Sequence, residues 1–293
     1  MMRIAVTGRE GQVVQSLLDR ASTAAVTVVA VGRPELDLAD PANVLPALRA
    51  AEPDVIVSAA AYTAVDKAES EPALARAVNA EGAGAVAAAA AALGVPVVHL
   101  STDYVFAGTK NGTYVESDPT GPLGVYGATK LAGEEAVAAA TPDHAILRTA
   151  WVYSPFGANF VKTMLRVGET RDVVRVVHDQ HGRPTSALDI ADAVISVARN
   201  LAASRDPDLR GVFHLAASGE ATWAEFAEAI FSSAAARGRK VPTVERITTA
   251  EYPTPARRPA NSRLDGAKLG RQHGIVMPDW RTALEITLSR LLA

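Results

Sequence analysis

"VTGREGQVV", residues 6 to 14, decides the fold of this chain. It follows the β-branched run "RIAVT" (3–7) and opens a segment of helical periodicity at 11–21. Gly8 and Gly11 stand where a backbone leaving a strand must turn sharply and come close to a ligand. A helix that begins directly after such a turn aims its free amides outward, which suits a pyrophosphate. Gln12 and Val13 lie at that helix start, and Val14 takes the third loop position, where a glycine usually permits close helix–strand packing. The strand–turn–helix context predicts a dinucleotide site; a merely structural tight turn is the competing reading.

Outward from this loop the first half of the chain alternates strands and helices. "VTVVAV" (26–31), "DVIVSAA" (54–60), "PVVHLST" (96–102) and "HAILRT" (144–149) read as buried parallel strands. Helical segments lie between them at 41–51, 72–93 and 124–140, the alanine run at 82–94 being a crossover helix that sits close to a sheet. The pattern predicts an α/β protein with a doubly wound, Rossmann-type parallel sheet over residues 1–150. Residues 151–293 form a smaller, mainly substrate-binding lobe interwoven with the end of the sheet. Its helices are expected at 159–169, 187–203, 222–237 and 279–292, and its short strands near 173–177 and 211–215. The Pro- and Arg-rich stretch at 251–264 cannot be regular helix.

Composition narrows the function classes. A chain of 293 residues with 48% apolar and 21% charged residues is that of a soluble globular protein. A net charge of -3 leaves no electrostatic footprint for nucleic acid. The absence of cysteine excludes disulfides, iron–sulfur clusters and thiolate metal sites. No apolar run approaches a membrane span and the N-terminus runs straight into a strand, so no membrane association and a cytoplasmic location are expected.

"VYGATK" (125–130) places Tyr126 and Lys130 four apart, on one face of a helix. Alone, the spacing is commonplace; beside a bound nicotinamide it acquires a role. A phenol with pKa near 10 is a sluggish acid, and a lysine charge about 6 Å away, at an effective dielectric of about 20, draws it down by about two units if that charge outweighs burial. Loss of Lys130 would then carry the basic limb of activity upward. "HLSTDYVFAG" ends the fourth strand with Ser101, Thr102 and Asp103, and Thr102 could hold a carbonyl oxygen while Tyr126 protonates it. At the second strand tip Gly32 and Arg33 replace the acid that favours NAD, so Arg33 is a candidate partner for a 2′-phosphate.

With these motifs on the page, the chain resembles the extended short-chain dehydrogenases/reductases, and within them the dTDP-4-dehydrorhamnose reductase family. The likeness is carried by "AAAYTAVDKAE", "STDYVF", "VYGATKLAGE", "LRTAWVY", "DQHGRPT" and "YPTPARRPANSRL". It implies reduction of dTDP-4-dehydro-L-rhamnose to dTDP-L-rhamnose with NADPH, or NADH, as the last step in making that nucleotide sugar. It implies Thr102, Tyr126 and Lys130 as the catalytic trio. Gly11, Gln12 and Val13 would meet the pyrophosphate, Asp37 and Leu38 the adenosine end, and Ala61, Tyr62 and Thr63 the far side of the cofactor. Trp151, Asn159 and Arg258 fall at positions for the dTDP-sugar, Arg258 being preferred to Arg257. Some members bridge a homodimer with a magnesium ion held by glutamates. Ser16 and Leu188 stand near those positions here, so no metal is expected and a homodimer stays open.

Other readings carry less. His178 and His181 lack a third ligand at metal spacing, and Trp223 reads as core. Dehydratases of this fold continue the Thr-Asp pair with a glutamate for proton abstraction, where this chain has Tyr104. Epimerases match the C-terminal third less closely. A non-catalytic dinucleotide-binding subunit of a methionine adenosyltransferase is the alternative from a different class; the joint presence of Thr102, Tyr126 and Lys130 favours an enzyme.

Overall fold

Strand runs that are β-branched on both faces need a sheet covered on both sides, and the computed structural model, which describes all 293 residues, contains one. The first half runs β1 (Arg3–Thr7), α1 (Gln12–Ala21), β2 (Thr27–Val31), α2 (Val44–Ala50), β3 (Val55–Ser58), α3 (Val65–Ala68), α4 (Pro72–Arg76), α5 (Ala83–Leu93), β4 (Val97–Thr102), α6 (Val125–Ala140) and β5 (His144–Thr149). The second half continues with β6 (Val152–Tyr153), α7 (Phe160–Thr170), β7 (Val173–Val177), β8 (His181–Gly182), β9 (Thr185–Ser186), α8 (Ala187–Ala203) and β10 (Gly211–His214). It closes with β11 (Ala221–Thr222), α9 (Trp223–Ala236), β12 (Thr243–Ile247), α10 (Ala267–His273) and α11 (Trp280–Leu291).

Six strands form the main sheet in the order β2-β1-β3-β4-β5-β10, all parallel. The order reverses between β1 and β3, so their C-terminal ends open a crevice at the switch point. Side chains alternate across the sheet. Ile4, Val6 and Val57 pack with Leu17 of α1 and Ile190 and Val194 of α8 on one face. Ala5 and Ile56 pack with Leu48 of α2 and Val86 of α5 on the other. The sixth strand and the α8 cover both come from beyond residue 150, so the chain returns to the sheet after leaving it. A separate cluster around Tyr153, Phe226, Trp280 and Leu284 holds α7, α9 and α11 together.

Two expected helices are broken. The segment at 41–51 begins with a 3₁₀ turn, Pro41–Asn43, before α2. The segment at 72–93 contains a wide π turn, Ala77–Gly82, between α4 and α5. The π turn carries Asn79, whose side chain bonds outside the helix, and widened turns of this kind recur at functional sites. The stretch 251–264 is irregular and zips onto the loop after β4, with Asn261 Nδ2 donating to the carbonyls of Lys110 (2.8 Å) and Gly112 (2.7 Å).

Candidate active site

Gly8, at φ +98°, turns the chain off β1, and Gly11 starts α1 with no side-chain cap, so the first amides of that helix stay open. Thr7, fully buried, accepts from the amides of Ala59 and Ala60, both at 3.0 Å, and so pins the end of β3 to the end of β1. Val14 is buried beneath the loop, its Cγ2 3.5 Å from where a Cβ on Gly8 would lie. The third-position valine therefore fills space that a glycine would leave for the helix to approach the strand. Gln12 latches the loop to the segment between β6 and α7: its Oε1 accepts from Ser154 Oγ (2.9 Å) and Asn159 Nδ2 (3.0 Å).

Arg9, Gly32, Arg33, Leu36, Asp37 and Leu38 line one end of the cleft. A Cβ on Gly32 would lie 3.2 Å from the Gly8 carbonyl carbon, so a larger residue there would require the loop to give by a few tenths of an ångström. Arg33 is exposed on the rim. Arg9, which the sequence reading passed over, lies beside it and pairs with Glu35 at 2.6 Å. Asp37 closes its own turn onto the Ala39 amide (3.0 Å), and Leu38 is buried against Gly82.

Across the crevice Ala61, Tyr62 and Thr63 follow β3. Asn79 holds this loop from both sides, accepting from the Tyr62 amide (2.7 Å) and donating to its carbonyl (3.1 Å). The same side chain donates to Thr129 Oγ1 at 3.1 Å, tying the loop to α6. Its one legible sign was a lone asparagine inside an alanine-rich helix.

Thr102, Asp103, Tyr126 and Lys130 all face the cleft, which has a volume of about 990 Å³. The Thr102 hydroxyl donates to Asp103 Oδ1 (2.9 Å) while accepting from the Tyr104 amide (3.2 Å). Burial pushes the Tyr126 phenol up to about 12, with Thr102 beside it lowering it and the Asp103 charge raising it. The expected downward pull by Lys130 is not what the site does. Lys130 Nζ instead donates to the Leu100 carbonyl (2.7 Å), 3.3 Å from His99 Nε2, and burial lowers its own pKa to about 8. Burial is the largest influence on both groups, and no pull of Lys130 on the phenol adds to it. Asp103 is likewise raised to about 6 by burial, against the hydrogen bonds from Ser262 and Thr102.

Trp151 lines the cleft at φ +50°, stacked on Trp223 with centroids 3.7 Å apart. Its other side leaves no room for a Cβ on Gly182, which would lie 2.3 Å from Cε2. Trp223 is half-buried: it packs on the core cluster around Phe226, as expected, and also supports a cleft residue. Asn159 and Arg258 are not on the cleft wall. Asn159 caps α7 and spends its amide on Gln12 and the Ser154 carbonyl. Arg258 pairs with Asp66 of α3 at 2.7 Å and donates to the Ala256 carbonyl at 3.2 Å. Ser16 and Leu188 are buried, and the chain has no group of three His, Asp or Glu side chains able to hold a metal.

A doubly wound sheet with an open helix N-terminus at its switch point, and a Thr–Tyr–Lys set on the same cleft, is the architecture of an extended short-chain dehydrogenase/reductase. The chain belongs to the RmlD substrate binding domain family, whose pattern matches residues 2–293. It is 57% identical over 280 residues to the dTDP-4-dehydrorhamnose reductase of Sinorhizobium fredii, covering 95% of this chain and 94% of the relative. Its structure is similar to that of the dTDP-4-dehydrorhamnose reductase of Clostridium acetobutylicum, with a TM-score of 0.92, 37% identity and full coverage of both chains (100%). It is similar also to the Bacillus anthracis reductase in complex with NADP, with a TM-score of 0.91, 35% identity and 99% of each chain covered.

Proposed function

We infer that this chain reduces the C4 keto group of dTDP-4-dehydro-L-rhamnose to give dTDP-L-rhamnose, the last step of dTDP-rhamnose synthesis. NADPH is the reductant and NADH the alternative. The observation that carries the reading is the presence of Tyr126, Thr102 and Lys130 on the cleft that also holds the glycine loop. Identity of 57% to a reductase of that name supports the choice of substrate.

The residues fit a dinucleotide. The uncapped start of α1 has room for a pyrophosphate at Gly11, Gln12 and Val13, because no side chain occupies its amides. Arg33, Asp37 and Leu38 would take the adenosine end, and Ala61, Tyr62 and Thr63 the opposite wall. When bound, reduced nicotinamide supplies the hydrogen and electron pair that the keto carbon gains. Tyr126 donates its proton to the carbonyl oxygen, which becomes the C4 hydroxyl. A phenol raised to about 12 is fully protonated at neutral pH, so the proton is present, though held more tightly than by a free phenol. Lys130, anchored on the Leu100 carbonyl, would reach the nicotinamide ribose hydroxyls with its ammonium. Thr102 steers the carbonyl oxygen once its O–H rotates from Asp103 into the cleft. Trp151 would pack against the sugar, and the lobe of α7, α9 and α11 would serve mainly the substrate. Asn159 and Arg258 would act at the nucleotide end by holding Gln12 and the 251–264 loop.

NADPH oxidation with enzymatically generated dTDP-4-dehydrorhamnose tests the proposal. One NADPH consumed per dTDP-rhamnose formed is expected; a folded, NADPH-binding protein that leaves the sugar untouched would refute it.

A further inference from the structure

His99 is fully buried in β4, three residues before Thr102, and does not reach the cleft surface. Its Nδ1 lies 3.0 Å from Ser58 Oγ on the neighbouring strand, where Ser58 and His99 are register partners. Its Nε2 lies 3.3 Å from Lys130 Nζ. An ammonium only donates hydrogen bonds, so a charged Lys130 makes Nε2 the acceptor. The ring hydrogen must then sit on Nδ1 and point at Ser58. Lys130 gives a second N–H to the Leu100 carbonyl at 2.7 Å, which leaves one N–H for the cleft that Lys130 lines.

We propose that His99 is a positioning residue for Lys130: a neutral acceptor, held in its Nδ1–H tautomer by Ser58, that orients the ammonium toward the cleft and keeps it charged. The proposal rests on the reading that a charged Lys130 serves the reduction. The other charged or titratable groups around the pair are His144 on β5 and Glu134 on α6, the latter paired with the buried Arg148 of β5 at 2.7 Å, while Tyr126 stands one turn before Lys130 on α6. Burial and the Lys130 charge both oppose a second positive charge on His99, which holds its pKa well below the ordinary value. The histidine therefore acts as a fixed dipole and not as a proton store. A fixed acceptor behind the strand also limits how far the long lysine stem can swing.

Three measurements on the full chain decide the matter. Nitrogen-15 NMR of the ring should report a neutral Nδ1–H tautomer below about pH 8, where Lys130 is charged; a cationic ring or an Nε2–H tautomer in that range would overturn the proposal. In His99→Leu the lost acceptor should move the basic limb of kcat down by about one pH unit, tenfold in the Lys130 equilibrium, with the NADPH Kd little changed. In His99→Gln, whose amide oxygen can reach the same place, the limb should return most of the way. A limb that stays put in His99→Leu, while Lys130→Ala in the same assay loses turnover, refutes the role of His99 and leaves that of Lys130 intact. Should His99→Leu fail to fold, Ser58→Ala, which releases the tautomer, must shift the limb in the same direction by a smaller amount. No shift there would count against the proposal.

Discussion

A Cβ on Gly127 would lie 2.2 Å from the carbonyl oxygen of Tyr104, so the helix that carries Tyr126 rests directly on the turn that follows Thr102. The rings of Tyr104 and Tyr126 meet edge-on at 5.5 Å over the same contact. The small residues inside "VYGATK" thus have separate tasks. Gly127 permits the close approach, and Thr129 donates to the Tyr126 carbonyl (3.0 Å) while accepting from Asn79. Gly127→Ala should therefore cost about 1–3 kcal/mol in denaturant unfolding through overpacking, and should lower kcat by displacing the phenol. A variant with wild-type kcat would show that the contact does not set the tyrosine.

Tyr126→Phe removes the proton donor with little change of shape. Turnover should fall by about 10²–10⁴, the range for a positioned acid, while NADPH and dTDP still bind in calorimetry. A near wild-type rate in a folded variant would end the proposed chemistry.

The pH profile should be set by lysine rather than tyrosine. Tyr126, raised to about 12, stays protonated through the accessible range, whereas Lys130, lowered to about 8, loses its charge there. Since the charged form is needed, kcat should fall as pH rises through about 8. Lys130→Ala should give a low rate with that limb absent, in place of the upward shift expected from the sequence. A limb that persists near 8 in Lys130→Ala would assign it to another group.

Arg33 stands exposed just after the end of β2. Arg33→Ala should raise the NADPH KM about tenfold while leaving the NADH KM nearly unchanged, the size of one exposed charge-assisted contact. Equal changes for both cofactors would remove the 2′-phosphate role. Arg9, engaged with Glu35 at 2.6 Å, should matter less until Glu35→Ala frees it.

Arg258 lies off the cleft wall, paired with Asp66 at 2.7 Å. Its partly exposed pair contributes roughly 0–1 kcal/mol to stability, so Arg258→Ala should fold normally. It should weaken dTDP binding in calorimetry and spare NADPH. If Asp66→Asn produces the same loss, Arg258 acts by anchoring the 251–264 loop; if only Arg258→Ala does, the guanidinium meets the nucleotide itself.

Much of this was legible in residue order. The strands at 3–7 and 144–149 fall where the β-branched runs lie, because strand and helix periodicities depend on near neighbours. Gly8, Thr102, Tyr126 and Lys130 could be picked out because a turn or an i,i+4 spacing is local. What the sequence could not say is which distant groups share a wall. The sixth strand at 211–214 joins β5, Gln12 reaches Ser154 and Asn159, and Asn79 ties Tyr62 to Thr129 only through packing. The protonation balance was decided there too. Spacing alone made Lys130 the influence on Tyr126, whereas the folded chain turns its ammonium to Leu100 and His99 and leaves burial dominant. Proximity along a helix is fixed by the order of residues; the loss of water around two titratable groups is fixed only when strands from across the chain close over them.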